Sequence, residues 1–194
     1  MPRNAGAGTA DRILDIAERL VQTRGYNAFS YADVAERVGI RKASIHHHFA
    51  TKEELVRLLV ARYRAAAQAG LVALEQQVVD PPAQLAAYVG YWRQCIADQS
   101  APMCLCALLA SELPVLPESI ALEVRAHFRA LSAWLAAVLE RGAQTGRLRF
   151  AQPAAVEAEA FMAAVHGAML SARAYGDPQA FGVISDALLA RLAA

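Results

Sequence analysis

Between Ser30 and His48 the sequence allows little other than two short helices joined by a tight turn. Ser30 can cap a helix with its hydroxyl, and Asp33, three residues on, can return to the backbone of the cap. Val34, Ala35 and Val38 then fall on one inward face. Gly39 ends the helix where a left-handed residue is needed. A second short helix, expected over Lys42 to His48, follows after only two or three residues. It is polar and basic, with Ile45 and Phe49, four apart, as its apolar anchors. The pattern is a helix-turn-helix, with Ile40 plugging the junction.

The flanking segments extend the helical reading. Ile13, Leu14, Ala17, Leu20 and Val21 form one stripe of a helix over about Thr9 to Arg24, with Thr9 as cap and Gly25 as stop. Thr51-Lys52-Glu53-Glu54 is a second capping box and opens a long helix whose apolar face is Leu55, Leu58, Leu59 and Tyr63. Pro81-Pro82 opens a fifth helix with Leu85, Tyr88, Val89, Trp92 and Ile96 on one face. A short helix is expected from about Pro102 to Leu113, a long one from Glu118 to Arg141, and two more near Pro153–Tyr175 and Pro178–Leu192. Alternation at strand period is nearly absent. The expected fold is all-α with about nine helices. Its N-terminal three-helix helix-turn-helix domain spans 1–52, and a helical C-terminal domain spans 53–194.

Charge is distributed unevenly. Residues 1–64 carry 11 Lys/Arg and 7 Asp/Glu, a balance of +4; residues 65–194 carry 8 and 11, a balance of −3. A basic excess at one end fits a chain that meets phosphates there. Residues 1–10 have no apolar central region, and Ala101 to Ala110 is too short to span a bilayer, so the sequence reads as cytoplasmic with no membrane partner. Three cysteines in such a chain are expected as thiols, without a disulfide framework.

The run Gly25-Tyr26, Ser30 through Ile40, Ser44-Ile45-His46-His47-His48-Phe49 and Thr51 through Leu55 resembles the DNA-binding domain of the TetR family of regulators. The resemblance covers about Thr9 to Tyr63 without a gap. It implies a homodimer, with a ligand-binding and dimerisation domain whose last two helices pair with their mates in a four-helix bundle. Arg41 and Lys42 stand at the N-terminus of the third helix, where side chains reach phosphates or a guanine edge. Ser44 and His47 lie on its exposed face. By the resemblance Lys42, Ser44, His46, His47 and Lys52 occupy DNA-contact positions. His46 stands where the family usually has tyrosine, and Arg41 where it commonly has a small capping residue. Neighbouring histidines 100° apart on a helix cannot all face one ion, so no metal site is expected there.

The C-terminal domain offers a candidate effector site: Tyr88, Trp92, Met103, Phe128, Trp134, Phe161 and Met162, with His127 and His166 as polar groups. Residues at this spacing also read as ordinary core. Met103 through Leu113 looks like the opening of the sixth helix in the electrophile-responsive branch of the family, and Cys104 falls on that branch's cysteine. In the expected first helical turn, a thiolate at Cys104 is favoured by the positive helix end and can add to an unsaturated compound or oxidise. Cys106, two residues on, points about 200° away along an ideal helix. Both cysteines also read as small buried core residues.

Together these features predict a transcriptional repressor. It would bind a palindromic operator in double-stranded DNA and leave when a small molecule binds, or a thiol is modified, in the C-terminal domain. No cofactor is expected. The alternative from another class is an enzyme using Cys104 with His127 or His166, but no nucleophile motif, phosphate loop or paired carboxylates accompany them.

Overall fold

The computed structural model describes residues 8–101 and 103–194. The first seven residues, and Pro102 as opener of the sixth helix, lie outside them. Nine α-helices are present among the described residues: α1 Thr9–Arg24, α2 Tyr31–Val38, α3 Lys42–His48, α4 Lys52–Gln77, α5 Pro81–Ala97, α6 Leu105–Ser111, α7 Glu118–Gln144, α8 Ala154–Tyr175 and α9 Gln179–Leu192. A 3-10 turn, Leu113–Val115, lies between α6 and α7. The chain divides into two compact units. One contains the residues up to Arg64 together with Leu105–Arg125; the other contains Ala65–Cys104 and Ala126–Ala194.

In the first unit, the α1 stripe of Ile13, Leu14, Ala17, Leu20 and Val21 is buried, as are Val34, Ile45, Leu55 and Leu59. Thr9 does not cap α1: Gly8 holds the N-cap with extended backbone, and Thr9 is already helical. The polar side of α1 carries Asp11, Asp15 and Glu18 on one stripe. Arg62 meets them at 3.9, 2.8 and 3.5 Å. Burial pushes the Glu18 carboxyl above its ordinary range, and Arg62 opposes that shift.

The α2 capping box forms as the sequence expects. Ser30 N–H donates to Asp33 Oδ2 at 2.7 Å, and Asp33 N–H donates to Ser30 Oγ at 3.4 Å. Gly39 is left-handed at φ 77°, and both it and Ile40 donate backbone N–H to Ala35 O. At α4, Glu54 N–H donates to Thr51 Oγ1, but the Glu54 carboxylate returns to Ala50 N–H, one residue before the cap.

In the second unit, α8 packs along α9 and α5 also meets α9. Leu85, Val89, Leu135, Val138, Phe161, Val165 and Phe181 fill the core. A Cβ at Gly142 would stand 2.3 Å from Leu148 Cδ1, so glycine lets the chain after α7 fold back closely. Ion pairs tie the helices: Arg141 to Glu75 at 2.7 Å, Arg147 to Asp80 at 3.1 Å, and Arg93 to Asp186.

The sixth helix differs from the sequence reading at both ends. It begins at Leu105, so Cys104 stands just before it and outside its first turn. Met103 and Cys104 are non-helical and buried, placed by the core rather than by helix propensity. At the other end the α-helix stops at Ser111. A 3-10 turn containing Pro114 follows, where a residue lacking N–H cannot continue the α-helical ladder.

Candidate nucleic-acid interface and thiol site

The third helix is divided by burial. Ile45 is fully buried and Phe49 is 4% exposed, so these two fix α3 to its unit. Arg41, Lys42, Ser44, His46 and His47 are exposed. Ser44 and His47 share the face opposite the anchors, while Arg41 and Lys42 stand at the N-terminal end. There is no acid in the first turn and no side-chain cap. Two cations at a helix N-terminus oppose its dipole, an arrangement that costs stability in the free protein and is relieved beside an anion.

Two of the six sequence-chosen residues point toward the protein. His46 places Nδ1 3.2 Å from Ala50 O, with its ring edge-on to Tyr31 at 4.8 Å. Tyr31, which the sequence reading passed over, donates its hydroxyl to Phe49 O at 2.9 Å, and burial pushes its phenol up to about 12. Lys52 is turned inward more completely. Its ammonium donates to Phe29 O at 2.6 Å and lies over the Tyr26 and Phe29 rings at 4.6 and 4.4 Å. Burial lowers the Lys52 pKa, while Glu112 and Asp33 act to raise it.

Glu112 is the other residue of this unit that the sequence left unassigned. Its carboxylate accepts the Tyr26 N–H on both oxygens. Gly25 makes the approach possible, because a Cβ there would stand 2.4 Å from Glu112 Oε1. A local signal existed only on one side, in the glycine.

The second unit assembles most of the candidate effector residues. Cys104 Sγ lies 3.8 Å from His127 Nε2, within the range of a weak hydrogen bond to sulfur, and both are buried. The His127 ring meets Phe128 at 6.0 Å, and Phe128 meets His166 at 5.3 Å. On the other side Tyr88 packs against Trp134 at 5.8 Å. Burial pushes the Tyr88 phenol up, the nearby Cys104 thiol adds to this, and Trp92 acts to lower it. Met103, Trp92, Phe161 and Met162 are buried in the same unit. Cys106, fully buried in α6, belongs to the first unit. None of the three cysteines is in a disulfide. No group of three potential metal ligands occurs among the described residues, and no helix there is long and apolar enough to cross a membrane.

A capped helix-turn-helix with a solvent-facing basic third helix, joined to a helical second unit, defines a helix-turn-helix DNA-binding regulator. Comparison with known proteins agrees. Residues 13–59 match the family described as bacterial regulatory proteins, tetR family, and residues 81–188 match the tetracyclin repressor-like C-terminal domain. A TetR-family transcriptional regulator from Agrobacterium tumefaciens is 59% identical. It aligns over 96% of this chain and 98% of its own, with a TM-score of 0.94. A Legionella pneumophila TetR regulator is 28% identical over 97% of this chain and 99% of its own, with a TM-score of 0.87. The HTH-type transcriptional repressor KstR2 of Mycobacterium tuberculosis is 38% identical over 74 residues, spanning 33% of this chain and 37% of that repressor. The chain belongs to the tetR family of bacterial regulatory proteins. It is a DNA-binding transcriptional regulator and not an enzyme.

Proposed function

We propose that this regulator is a cytoplasmic, homodimeric repressor that binds a palindromic operator through α3 and is released by an event at Cys104 or beside it. The observation that carries the reading is α3 itself: Ile45 is fully buried while Arg41, Lys42, Ser44 and His47 face solvent. In the bound state the α3 helices of two protomers enter successive major grooves, about 34–36 Å apart. Arg41 and Lys42 meet phosphates or a guanine edge, and Ser44 and His47 meet the groove floor. A second protomer is supported by the last two helices. Val156, Leu170 and Val183 expose more than half of their surface, and Ala160, Ala163, Gly167 and Ala187 are exposed at helical spacing among them. Small and apolar surface stripes of this kind mark an interface.

For the release step, His127 sits beside the Cys104 thiol and can take its proton as the sulfur attacks. Addition to an activated alkene forms a carbon–sulfur bond, and the proton ends on the adjacent carbon. The product adds bulk at a position that is 1% exposed, so the surrounding packing must give. Cys104 is bonded directly to Leu105, the first residue of α6. One residue beyond α6, Glu112 holds Tyr26 ahead of the helix-turn-helix. A shift of α6 therefore bears on the segment that positions α2 and α3, and it favours conformers whose α3 spacing no longer matches the operator.

The reading is tested by selecting bound sequences from random duplexes, then treating the complex with N-ethylmaleimide. A palindrome bound by a dimer, released from the wild type and retained by Cys104→Ser, is the expected result. No enrichment at low salt overturns DNA recognition. Release unchanged in Cys104→Ser overturns the thiol step alone.

A further inference from the structure

Four buried polar atoms of the second unit have no hydrogen-bond partner among the described residues: Tyr88 Oη, Trp92 Nε1, Trp134 Nε1 and His166 Nε2. Burying one such group without a partner costs stability, and native proteins seldom hold several together without a reason. These four are linked by contacts given above. Tyr88 packs against Trp134 with tilted rings and stands within electrostatic reach of Cys104; Cys104 meets His127; His127 and Phe128 lead to His166. Trp92 is one turn from Tyr88 on α5 and comes near its hydroxyl without the geometry of a hydrogen bond. Tyr88 and Trp92 are 7% and 6% exposed.

The chemistry of the set selects the ligand. Indole N–H groups only donate, and a phenol donates readily, so three of the four atoms ask for acceptors. The set carries no positive charge. Burial holds the His166 imidazole down at about 4, which leaves it neutral at pH 7. No lysine lies in this unit, and its arginines are engaged elsewhere or face water: Arg93, Arg141 and Arg147 are held by carboxylates, and the others are exposed. An anion here would lose its hydration with no counter-charge to replace it. The rings of Tyr88, Trp134 and Phe128 belong to the same chain of contacts, and aromatic faces suit a flat ring system.

We infer that the second unit binds an uncharged, ring-bearing molecule through its hydrogen-bond acceptor oxygens, received by Tyr88, Trp92 and Trp134. This rests on the proposal that the unit receives an effector, and it concerns reversible binding, separable from alkylation of Cys104. The chain's only two tryptophans are both in the set, so its indole signals report on this site alone.

The test follows the two indole N–H cross-peaks of the 15N-labelled protein while three probes are titrated: 9-fluorenone, fluorene and fluorene-9-carboxylate. The ketone offers an acceptor and no alkene for a thiol to attack, the hydrocarbon offers no acceptor, and the carboxylate offers acceptors with a charge. Fluorenone is expected to move both indole protons downfield and saturably. Fluorene and the carboxylate are each expected to bind at least tenfold more weakly. Tyr88→Phe, which keeps the ring, is expected to weaken fluorenone about three- to tenfold and to leave fluorene unchanged. Fluorenone adds no mass to Cys104, so a failed thiol switch and a failed ligand site give different results. The inference is overturned if the carboxylate binds more tightly than the ketone, if the hydrocarbon equals it, or if none of the three moves either indole.

Discussion

Glu112 receives the Tyr26 backbone N–H on both carboxylate oxygens, at 3.0 and 3.1 Å, across a glycine that has no side chain to block it. Gly25 lies at φ 79°, ψ 178°, a region almost closed to other residues. Gly25→Ala is therefore expected to lower stability by about 2–4 kcal/mol, combining backbone strain with expulsion of the carboxylate. Glu112→Ala leaves the amide without its acceptor and is expected to cost about 1–3 kcal/mol. Glu112→Gln, which retains one acceptor, should cost less. Urea unfolding of the three variants checks the order; equal stability of Glu112→Ala and wild type contradicts the clamp.

Asp33 carries a pH prediction. Hydrogen bonds from the Ser30 hydroxyl and backbone, then Arg24, pull its carboxyl down to about 2 from an ordinary 3.8. The folded pKa lies below the unfolded one, so this contribution is present above pH 4 and fades as pH falls toward 2. Thermal unfolding between pH 6 and pH 2 should show the wild type losing stability more steeply than Asp33→Asn. Parallel curves would show that Asp33 contributes nothing to the acid sensitivity.

His166 gives the opposite residue type with the same direction on the pH axis. Its folded pKa of about 4 lies below the ordinary 6.5, so protons bind the unfolded chain first. Stability present above pH 6.5 is lost as pH falls toward 4. A histidine NMR titration is expected to find one imidazole still neutral at pH 5.5, and absent from His166→Phe.

Lys52 separates two roles that its sequence position suggests. Its ammonium is held by Phe29 O and two aromatic rings, so Lys52→Ala is expected to cost about 1–2 kcal/mol of stability. Its effect on DNA affinity, once measured well below the melting temperature, should be smaller than that of Lys42→Ala. A larger effect, with unchanged stability, would return Lys52 to the phosphate contacts.

The proximity of Cys104 and His127 predicts reactivity. His127→Phe removes the imidazole that lies 3.8 Å from the Cys104 sulfur, the group proposed above to take its proton, and is expected to slow alkylation of Cys104 by on the order of ten- to a hundredfold. Mass spectrometry of timed N-ethylmaleimide reactions, with Cys95 and Cys106 as internal references, checks it.

What the sequence made legible was local. Ser30, Asp33 and Gly39 act on neighbours within a few residues, and the helix they bound runs as expected, Tyr31–Val38. The apolar face of α5 was legible for the same reason: Leu85, Tyr88, Val89, Trp92 and Ile96 are all buried. Tertiary choices were not legible. Tyr26 and Glu112 are 86 residues apart, and nothing in either stretch names the other. Lys52 could face solvent or two rings, and only packing decides. At Cys104, helix propensity extended α6 too far upstream, because burial of Met103 and Cys104 sets that start. The four unpartnered polar atoms are likewise visible only once side chains have been placed.

If α3 presents the DNA-binding surface, its exposed cations set the affinity, and fluorescence anisotropy on the selected duplex measures their effect. Titrations of wild type, Lys42→Ala, Arg41→Ala and the exposed control Arg173→Ala across a salt series give affinities and slopes. The expected result is a loss of about five- to a hundredfold for each α3 variant, a salt slope reduced by about one for each phosphate contact removed, and no change for Arg173→Ala. Undiminished binding by the Arg41→Ala, Lys42→Ala double variant would place the DNA-binding surface elsewhere.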